Sequence, residues 1–325
     1  MKLDLKELSR FETAVMKAKK IFITPHKSPD GDALGGSLSL YLALTRAGRD
    51  VTIGCVDPVP DAFKFLPGSE RMVDDINPKE YDLVISVDAG DTKQLGWDVR
   101  YPELFDGSDP ARTLIKIDHH PFARDFGDIR LVYTDACASC FVLTEMYDAL
   151  GIRIRPDMAT CLLNGLHTDT GSFKHDNTSP EVLRMAARLM RAGANLPVIS
   201  KEVFHSTPIS AMRLWGRILA GMRMTDNGIT LAVAKAHDFT DSHATQEDLT
   251  GVVDYINAVP DAKFSMLLSE RGDLIKGSLR TKRKDVNVAK IAATFGGGGH
   301  VMAAGFAVPG KLEKVEQWKI TPAND

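Results

Sequence analysis

Four short segments within the first 173 residues concentrate acids and histidines. They are His26-Lys27-Ser28-Pro29-Asp30-Gly31-Asp32, Asp88-Ala89-Gly90-Asp91, Asp118-His119-His120 and Thr168-Asp169-Thr170-Gly171-Ser172-Phe173. Each alone has an ordinary explanation. A single acid after a strand is commonly a helix cap or a turn residue, and a lone histidine is more often a surface or hydrogen-bonded core residue than a ligand. Together they need another account. Three of the four follow apolar runs that read as strands, and placing Asp118, His119 and His120 side by side after such a run is costly if they are desolvated unpaired. Beyond the carboxyl ends of the strands of an open parallel sheet, side chains converge on one crevice. So many carboxylates gathered there would repel one another and raise each other's pKa unless a cation neutralised them. The pattern points to a metal site, and its richness in acids points to two metals. Carboxylates with imidazoles and no thiolate suit Mn²⁺ or Mg²⁺ better than structural zinc. Two such ions roughly 3.5–4 Å apart can share and ionise a water and clamp a phosphoryl group, which is a device for cleaving phosphoesters.

The elements that must position these groups are legible as alternating runs. Ile21-Phe22-Ile23, Val51-Thr52-Ile53, Leu83 to Val87 and Leu114-Ile115-Lys116-Ile117 read as buried strands. Leu34, Leu38, Tyr41, Leu42 and Thr45 fall at helical spacing between Ala33 and Ala47, with Gly48 closing the helix. Further helices are expected from Ala138 to Leu150, from Met158 to His167, and from a start at Ser179-Pro180-Glu181 to an end near Gly193. Continuous apolar strands alternating with helices predict an α/β fold with a parallel sheet. Residues 1–193 are therefore assigned to a catalytic domain, 194–221, read as helical or loop-like, to a linker, and 222–325 to a smaller α/β domain. In the last, Asp226-Asn227-Gly228 marks a hairpin turn before a strand from Ile229 to Ala234, and Arg271-Gly272-Asp273 separates two further strands. A helix from Val286 to Phe295 leads into Gly296-Gly297-Gly298-Gly299-His300. Such a run lets backbone amides approach an anion closely, the alternative being a flexible turn.

In their order, H-x-x-P-D-G-D-A, D-A-G-D, D-H-H and T-D-T-G-S-F resemble the DHH phosphoesterase superfamily. The run from Gly296 through His300-Val301-Met302-Ala303-Ala304-Gly305 looks like the signature of its DHHA1 substrate domain. The resemblance spans about residues 20 to 310, and size and layout are most similar to the stand-alone, NrnA-like bacterial oligoribonucleases (nanoRNases), which also hydrolyse pAp. It implies that His26 and Asp30 bind one metal, that Asp32, His119 and Asp169 bind the other, and that Asp88 bridges both. His120 would face the substrate phosphate as a donor or acid, with Asp118 orienting a histidine. It implies that Arg280, whose planar fork suits phosphate, and Gly297, Gly298, Gly299 and His300 hold the substrate's phosphate end, in a cleft between the domains. The expected cofactor is a pair of Mn²⁺ ions, with Mg²⁺ or Co²⁺ as alternatives. The expected reaction is hydrolysis of short oligoribonucleotides to 5′-mononucleotides, and of pAp to AMP. The rival readings are a phosphodiesterase for linear or cyclic dinucleotide signals and, from another class, a non-catalytic nucleotide sensor. Intact acids and histidines at every ligand position argue against the sensor, and the glycine-rich motif argues against a family II pyrophosphatase.

The bulk composition narrows the partners. The chain has 325 residues, 26% of them charged, with a net charge of −3, so no global basic field exists for a long nucleic acid. Short RNA or small nucleotides fit better, and a local basic run at Lys282, Arg283 and Lys284 is as readily a solvated turn as a binding surface. Four cysteines are too few for a disulfide scaffold of this size and suit a reducing compartment. The charged N-terminus has no signal-peptide core, and no apolar run approaches a membrane span. The cytoplasm is the expected location. Oligomeric state is left open by the sequence, with a homodimer as one option because relatives of this size are often dimers. The Cys137-Ala138-Ser139-Cys140 pair is read as small residues at a helix start rather than a zinc site. Met212, Met222 and Met224 are read as packing residues.

Overall fold

A computed structural model of the protein describes residues 1–105, 109–120, 126–204 and 207–313. Pro121, His205 and the last residues of the expected second domain, 314–325, lie outside the described residues. The chain forms two compact units, Met1–Ser206 and Thr207–Asp325.

The first unit is built on a parallel five-stranded sheet of order β2-β1-β3-β4-β5. Its strands are β1 (Ile21–Thr24), β2 (Val51–Ile53), β3 (Leu83–Val87), β4 (Thr113–Asp118) and β5 (Ile129–Val132). Burial on both faces explains their near-continuous apolar sequences. Ile21, Ile23, Leu83, Ile85 and Val87 enter the main core, whereas Phe22 and Val84 point the other way, into a cluster with Tyr81, Leu95, Trp97 and Leu104. On the main-core side lie α1 (Leu5–Lys17) and α2 (Gly31–Arg46); two short helices, α3 (Thr92–Leu95) and α4 (Trp97–Arg100), serve the second cluster. The remaining helices of the unit are α5 (Ser139–Ala149), α6 (Pro156–Asp169), α7 (Pro180–Arg191) and α8 (Leu196–Phe204). Helix α7 starts as expected, with the Ser179 side chain capping the Val182 amide and Pro180 in the first turn. Helix α6 packs closely against α2 and α5, and two glycines make the approach possible. A Cβ on Gly35 would lie 2.3 Å from the Cys161 carbonyl oxygen, and one on Gly165 would lie 2.3 Å from Cys140 Sγ and 2.5 Å from Asp32 Oδ1.

The chain crosses from β1 through α2 to β2 on one side, then returns to place β3 on the other side of β1. The C-terminal ends of β1 and β3 therefore flank the point where strand order reverses, which is where open α/β sheets form their crevices.

The span 194–221, expected as a linker, is mostly two helices. Ile199 of α8 belongs to the core of the first unit, whereas Leu214 and Ile218 of α9 (Ile209–Ala220) belong to a core of the second. The second unit carries a mixed six-stranded sheet of order β10-β11-β9-β8-β7-β6. These strands are β6 (Arg223–Met224), β7 (Ile229–Ala234), β8 (Phe264–Arg271), β9 (Leu274–Arg280), β10 (Gly298–Gly299) and β11 (Ala303–Pro309). Both expected hairpins form, since β6 pairs antiparallel with β7, and β8 with β9. One core gathers Ala232, Ala234 and Leu267 with α9, α10 (Ala236–Ser242) and α11 (Val252–Ile256). Another gathers Phe264, Leu279, Ala304 and Phe306 with α12 (Val288–Ala293), a helix shorter than expected. Of the three methionines read as packing residues, Met222 packs against a core, but Met212 and Met224 are exposed. Met212 falls off the inward face that Ala211, Leu214 and Ile218 define on α9, and Met224 lies on the edge strand. Among the described residues, no helix is long and apolar enough to cross a membrane.

Candidate metal centre

The three strand-end segments converge with the end of α6. His26 lies just past β1, Asp88 just past β3, and His119 and His120 just past β4, while Asp169 is the last residue of α6. Asp30 caps α2 by accepting from the amides of Asp32 and Ala33, both at 3.0 Å. Three groups of possible ligand atoms result: His26, Asp30 and Asp88; Asp88, His119 and His120; and Asp32, His119 and Asp169. Asp88 and His119 are each shared by two groups. His26 Nε2 lies 3.7 Å from Asp88 Oδ2 and 3.8 Å from Asp30 Oδ2. His119 Nε2 lies 3.5 Å from Asp88 Oδ1 and 3.2 Å from Asp169 Oδ2. All seven acids and histidines expected to form the site are thus together. Asp118 stands behind them, fully buried, and accepts from His120 Nδ1 at 2.9 Å and from the amides of His119 and His120.

Electrostatics make the assembly unfinished as it stands. Burial, reinforced by neighbouring carboxylates, pushes Asp32 and Asp88 up to about 7. Burial also raises Asp169 to about 6, against its contact with His119. Asp169 sits at the negative end of the α6 dipole as well, where an acid is unfavourable. Burial would lower the two histidines, but the carboxylates prevail: Asp30 and Asp88 raise His26 to about 9, and Asp169, Asp32 and Asp88 raise His119 to about 10. The buried Nε2 of His119 faces carboxylate oxygens without hydrogen-bonding geometry to any of them. Convergent oxygen and nitrogen atoms, mutually repelling acids and an orphaned imidazole nitrogen are what a divalent cation would complete. Thiols take no part: burial pushes Cys137 up to about 12 and Cys140 well above its ordinary value, and the four cysteines are free and buried.

Two supports were not evident from the sequence. Ser139 donates its hydroxyl to Asp88 Oδ1 at 2.9 Å. The amides of Ser139 and Cys140, at the start of α5, donate to the two oxygens of Asp32 at 2.6 and 3.0 Å. Asp32 thus caps a helix more than a hundred residues away, and the helix start at 137–140 was the available signal. Asp88 itself adopts φ +63°, a left-handed conformation disfavoured for residues with a Cβ and common at functional sites. In front of these groups lies a pocket of about 260 Å³, lined by His26, Lys27, Asp30, Asp88, Gln94 and His120.

In the second unit, Arg280 ends β9 opposite Ala303, and its half-buried guanidinium donates to the Leu279 carbonyl at 3.0 Å. Burial lowers its pKa. The glycine run is a hairpin arm rather than a loose turn. Gly298 and Gly299 pair with Gly305 and Ala304, and His300 and Ala303 exchange backbone hydrogen bonds at 2.7 and 3.2 Å. The amides of Gly296 and Gly297 donate to carbonyls of α12, so neither is turned outward as expected of an anion cradle. A Cβ on Gly297 would sit 2.2 Å from the Gly305 carbonyl oxygen, whereas one on Gly298 would meet nothing within 4 Å. In the basic run, Arg283 is engaged by Asp285 through two contacts, at 3.0 and 2.7 Å.

The family model described as the DHH family, N-terminal domain, matches residues 20–166, and that of the DHHA1 domain matches residues 228–319. A Thermus thermophilus protein named bifunctional oligoribonuclease and PAP phosphatase NrnA is 33% identical over 94% of this chain and 89% of its own length. The chain belongs to the DHH–DHHA1 family. A Bacillus subtilis protein of the same name is 25% identical, with 89% of each chain covered. Among solved structures, an exopolyphosphatase-related protein from Bacteroides fragilis superposes with a TM-score of 0.87 at 26% identity, covering 97% of this chain and 93% of that one. A Methanococcus jannaschii protein described as a family II inorganic pyrophosphatase shares the fold at a TM-score of 0.50 and 16% identity, with 90% and 95% covered. Within this DHH–DHHA1 chain the four acid–histidine segments and the glycine hairpin fall inside, or within a few residues of, the matched regions.

Proposed function

We propose that the chain is a metal-dependent phosphoesterase that hydrolyses short oligoribonucleotides to 5′-mononucleotides and, as a second reaction, pAp to AMP. The observation that carries this reading is the sharing of Asp88 and His119 between adjoining groups of ligand atoms, in a chain that is 33% identical to a relative named for those two activities. In the proposal, His26, Asp30 and Asp88 hold one ion, and Asp32, Asp88, His119 and Asp169 hold a second. Mn²⁺ is the proposed ion, with Mg²⁺ and Co²⁺ as alternatives, because the donors are carboxylate and imidazole without thiolate. When bound, such a pair supplies positive charge to the phosphoryl oxygens and acidifies water near neutral pH. The chain's own residues do the rest. Ser139 holds Asp88 from behind, and Asp118 grips His120 Nδ1 so that the ring lines the pocket. The hydrogen bond from His120 to Asp118 raises the histidine's pKa, which keeps the ring a donor for the phosphate or the leaving group. In the 222–325 domain, Arg280, Gly298, Gly299 and His300, with Gly297 as their packing base, are proposed to hold a substrate phosphate. Four buried free cysteines support a reducing compartment, the cytoplasm.

The deciding experiment incubates the purified chain with Mn²⁺ and pApA, a short labelled RNA, pAp, cyclic di-AMP and pyrophosphate, with Asp88→Ala alongside. Turnover of pApA and short RNA that is lost in Asp88→Ala is the expected result. Dominant cleavage of cyclic di-AMP would move the substrate class to dinucleotide signals. An Asp88→Ala variant with full activity would end the two-ion proposal.

A further inference from the structure

Lys116 lies inside β4 at 1% exposure, and lysine is almost never so buried unless paired. Its ammonium lies 3.4 Å from Asp118 Oδ2, donates to the Gly90 carbonyl oxygen at 2.9 Å, and stands 4.7 Å from the centre of the Phe126 ring. A buried ion pair is weak evidence for stability, because desolvation offsets its attraction and apolar residues of similar volume often serve as well. Successive strand residues alternate faces, so Ile115 and Ile117 point the other way; on its own face Lys116 lies in register with Ser86 and Arg130, neither of which is an acid that could pair with it.

What the ammonium touches suggests a different role. Gly90 is two residues beyond Asp88, in the turn that holds Asp88 at φ +63°. Asp118 turns its other oxygen to His120 Nδ1 and to the amides of His119 and His120. One side chain therefore joins the loop after β3 to the loop after β4, and each loop carries a group assigned to the chemistry. We infer that Lys116 is a positioning residue: by clamping the Gly90 carbonyl against the Asp118 carboxylate, it fixes the placement of Asp88 relative to His119 and His120. This rests on the function proposed above.

The test compares the full-length wild type, Lys116→Met, Asp118→Asn and the double variant. It measures kcat and KM on pApA, Mn²⁺ binding to the metal-free protein by calorimetry, and Tm. Lys116→Met should lower kcat by about 10- to 100-fold and weaken Mn²⁺ binding by about 10-fold, with KM little changed. The double variant should lose less than the product of the single losses, because both act on the same loops. A purely structural lysine would lower Tm and leave kcat and Mn²⁺ affinity at 25 °C unchanged, and that result, or losses that multiply, would overturn the inference. If Lys116→Met is recovered unfolded, Lys116→Gln is read in its place by the same criteria. Failure of both to fold makes Lys116 a stability residue and overturns the inference equally. An inactive wild type whose Mn²⁺ affinity still falls in Lys116→Met would sink the proposed function and leave the clamp standing. An active wild type with an unaffected variant would sink the clamp alone.

Discussion

The acid–histidine centre of the first unit and the glycine hairpin of the second are both assigned to phosphate chemistry, yet their internal accounts differ. At the hairpin, backbone groups already have partners: Gly296 and Gly297 donate to α12, and His300 pairs with Ala303. In the centre, Asp32, Asp88 and Asp169 sit buried with raised pKa values, and the Nε2 of His119 lacks a hydrogen-bond partner. The hairpin's backbone pairs within its own unit, whereas the centre gathers buried acids that repel one another. Removing a centre residue should therefore cost activity and metal affinity, and removing a hairpin residue should cost binding or stability.

The largest expected effect is that of Asp88→Ala, a loss of at least ~10³-fold in kcat, about 4 kcal/mol of transition-state stabilisation, measured on pApA with saturating Mn²⁺. Arg280→Ala should raise KM by roughly 10- to 100-fold, as loss of a charge-assisted phosphate contact would; a fall in kcat at unchanged KM would break the division between the two regions. Ser139→Ala removes only the hydroxyl behind Asp88 and should weaken Mn²⁺ binding by about 10-fold in calorimetric titration.

A pH series of melts sharpens the contrast further. Asp32, Asp88 and Asp169 titrate well above the roughly 3.9 of an unfolded carboxylate. Between about pH 4 and 7 the native state then binds more protons than the unfolded chain, and stability falls as pH rises. His26 and His119, raised to about 9 and about 10, contribute stability that is full below about pH 6.5 and lost as pH rises through those values. Metal-free protein should melt several degrees lower at pH 8 than at pH 5. Saturating Mn²⁺ should widen its stabilising shift over the same range, because the ligands must be deprotonated to bind it. A metal-free Tm that climbs with pH would contradict the unfinished-charge account. The smallest effects separate two adjacent glycines. Gly297→Ala should cost about 2 kcal/mol through its clash with β11, whereas Gly298→Ala should leave Tm within about one degree and act, if at all, on KM.

The parallel sheet was legible because burial on both faces leaves uninterrupted apolar runs, and the acids after them stood out against those runs. The strand order was not legible, since nothing in Ile21-Phe22-Ile23 states which strands flank it. Ser139 escaped notice because its partner Asp88 is 51 residues away and a serine at a helix start has a sufficient local explanation. Lys116 was visible as a charge within the apolar run of β4, but what holds it buried, Gly90 and Asp118, depends on two loops meeting in space. The glycine run stood out for its missing side chains, but at Gly297 that need is met by the hairpin's own packing. The span 194–221 lacked the strand alternation of its flanks, and its two helices are assigned to different cores only by contacts distant in sequence.

The close packing of α6 against α2 at Gly35 and Gly165 carries a consequence for how this protein tolerates mutation. Gly165 leaves Asp32 a clearance smaller than one carbon atom, and Gly35 does the same for the α6 backbone. A single added methyl at either place must shift a helix or eject the carboxylate. A random-mutagenesis screen for loss of activity should therefore return alanine hits at Gly35 and Gly165, which carry no reactive group themselves, alongside hits at the acids and histidines.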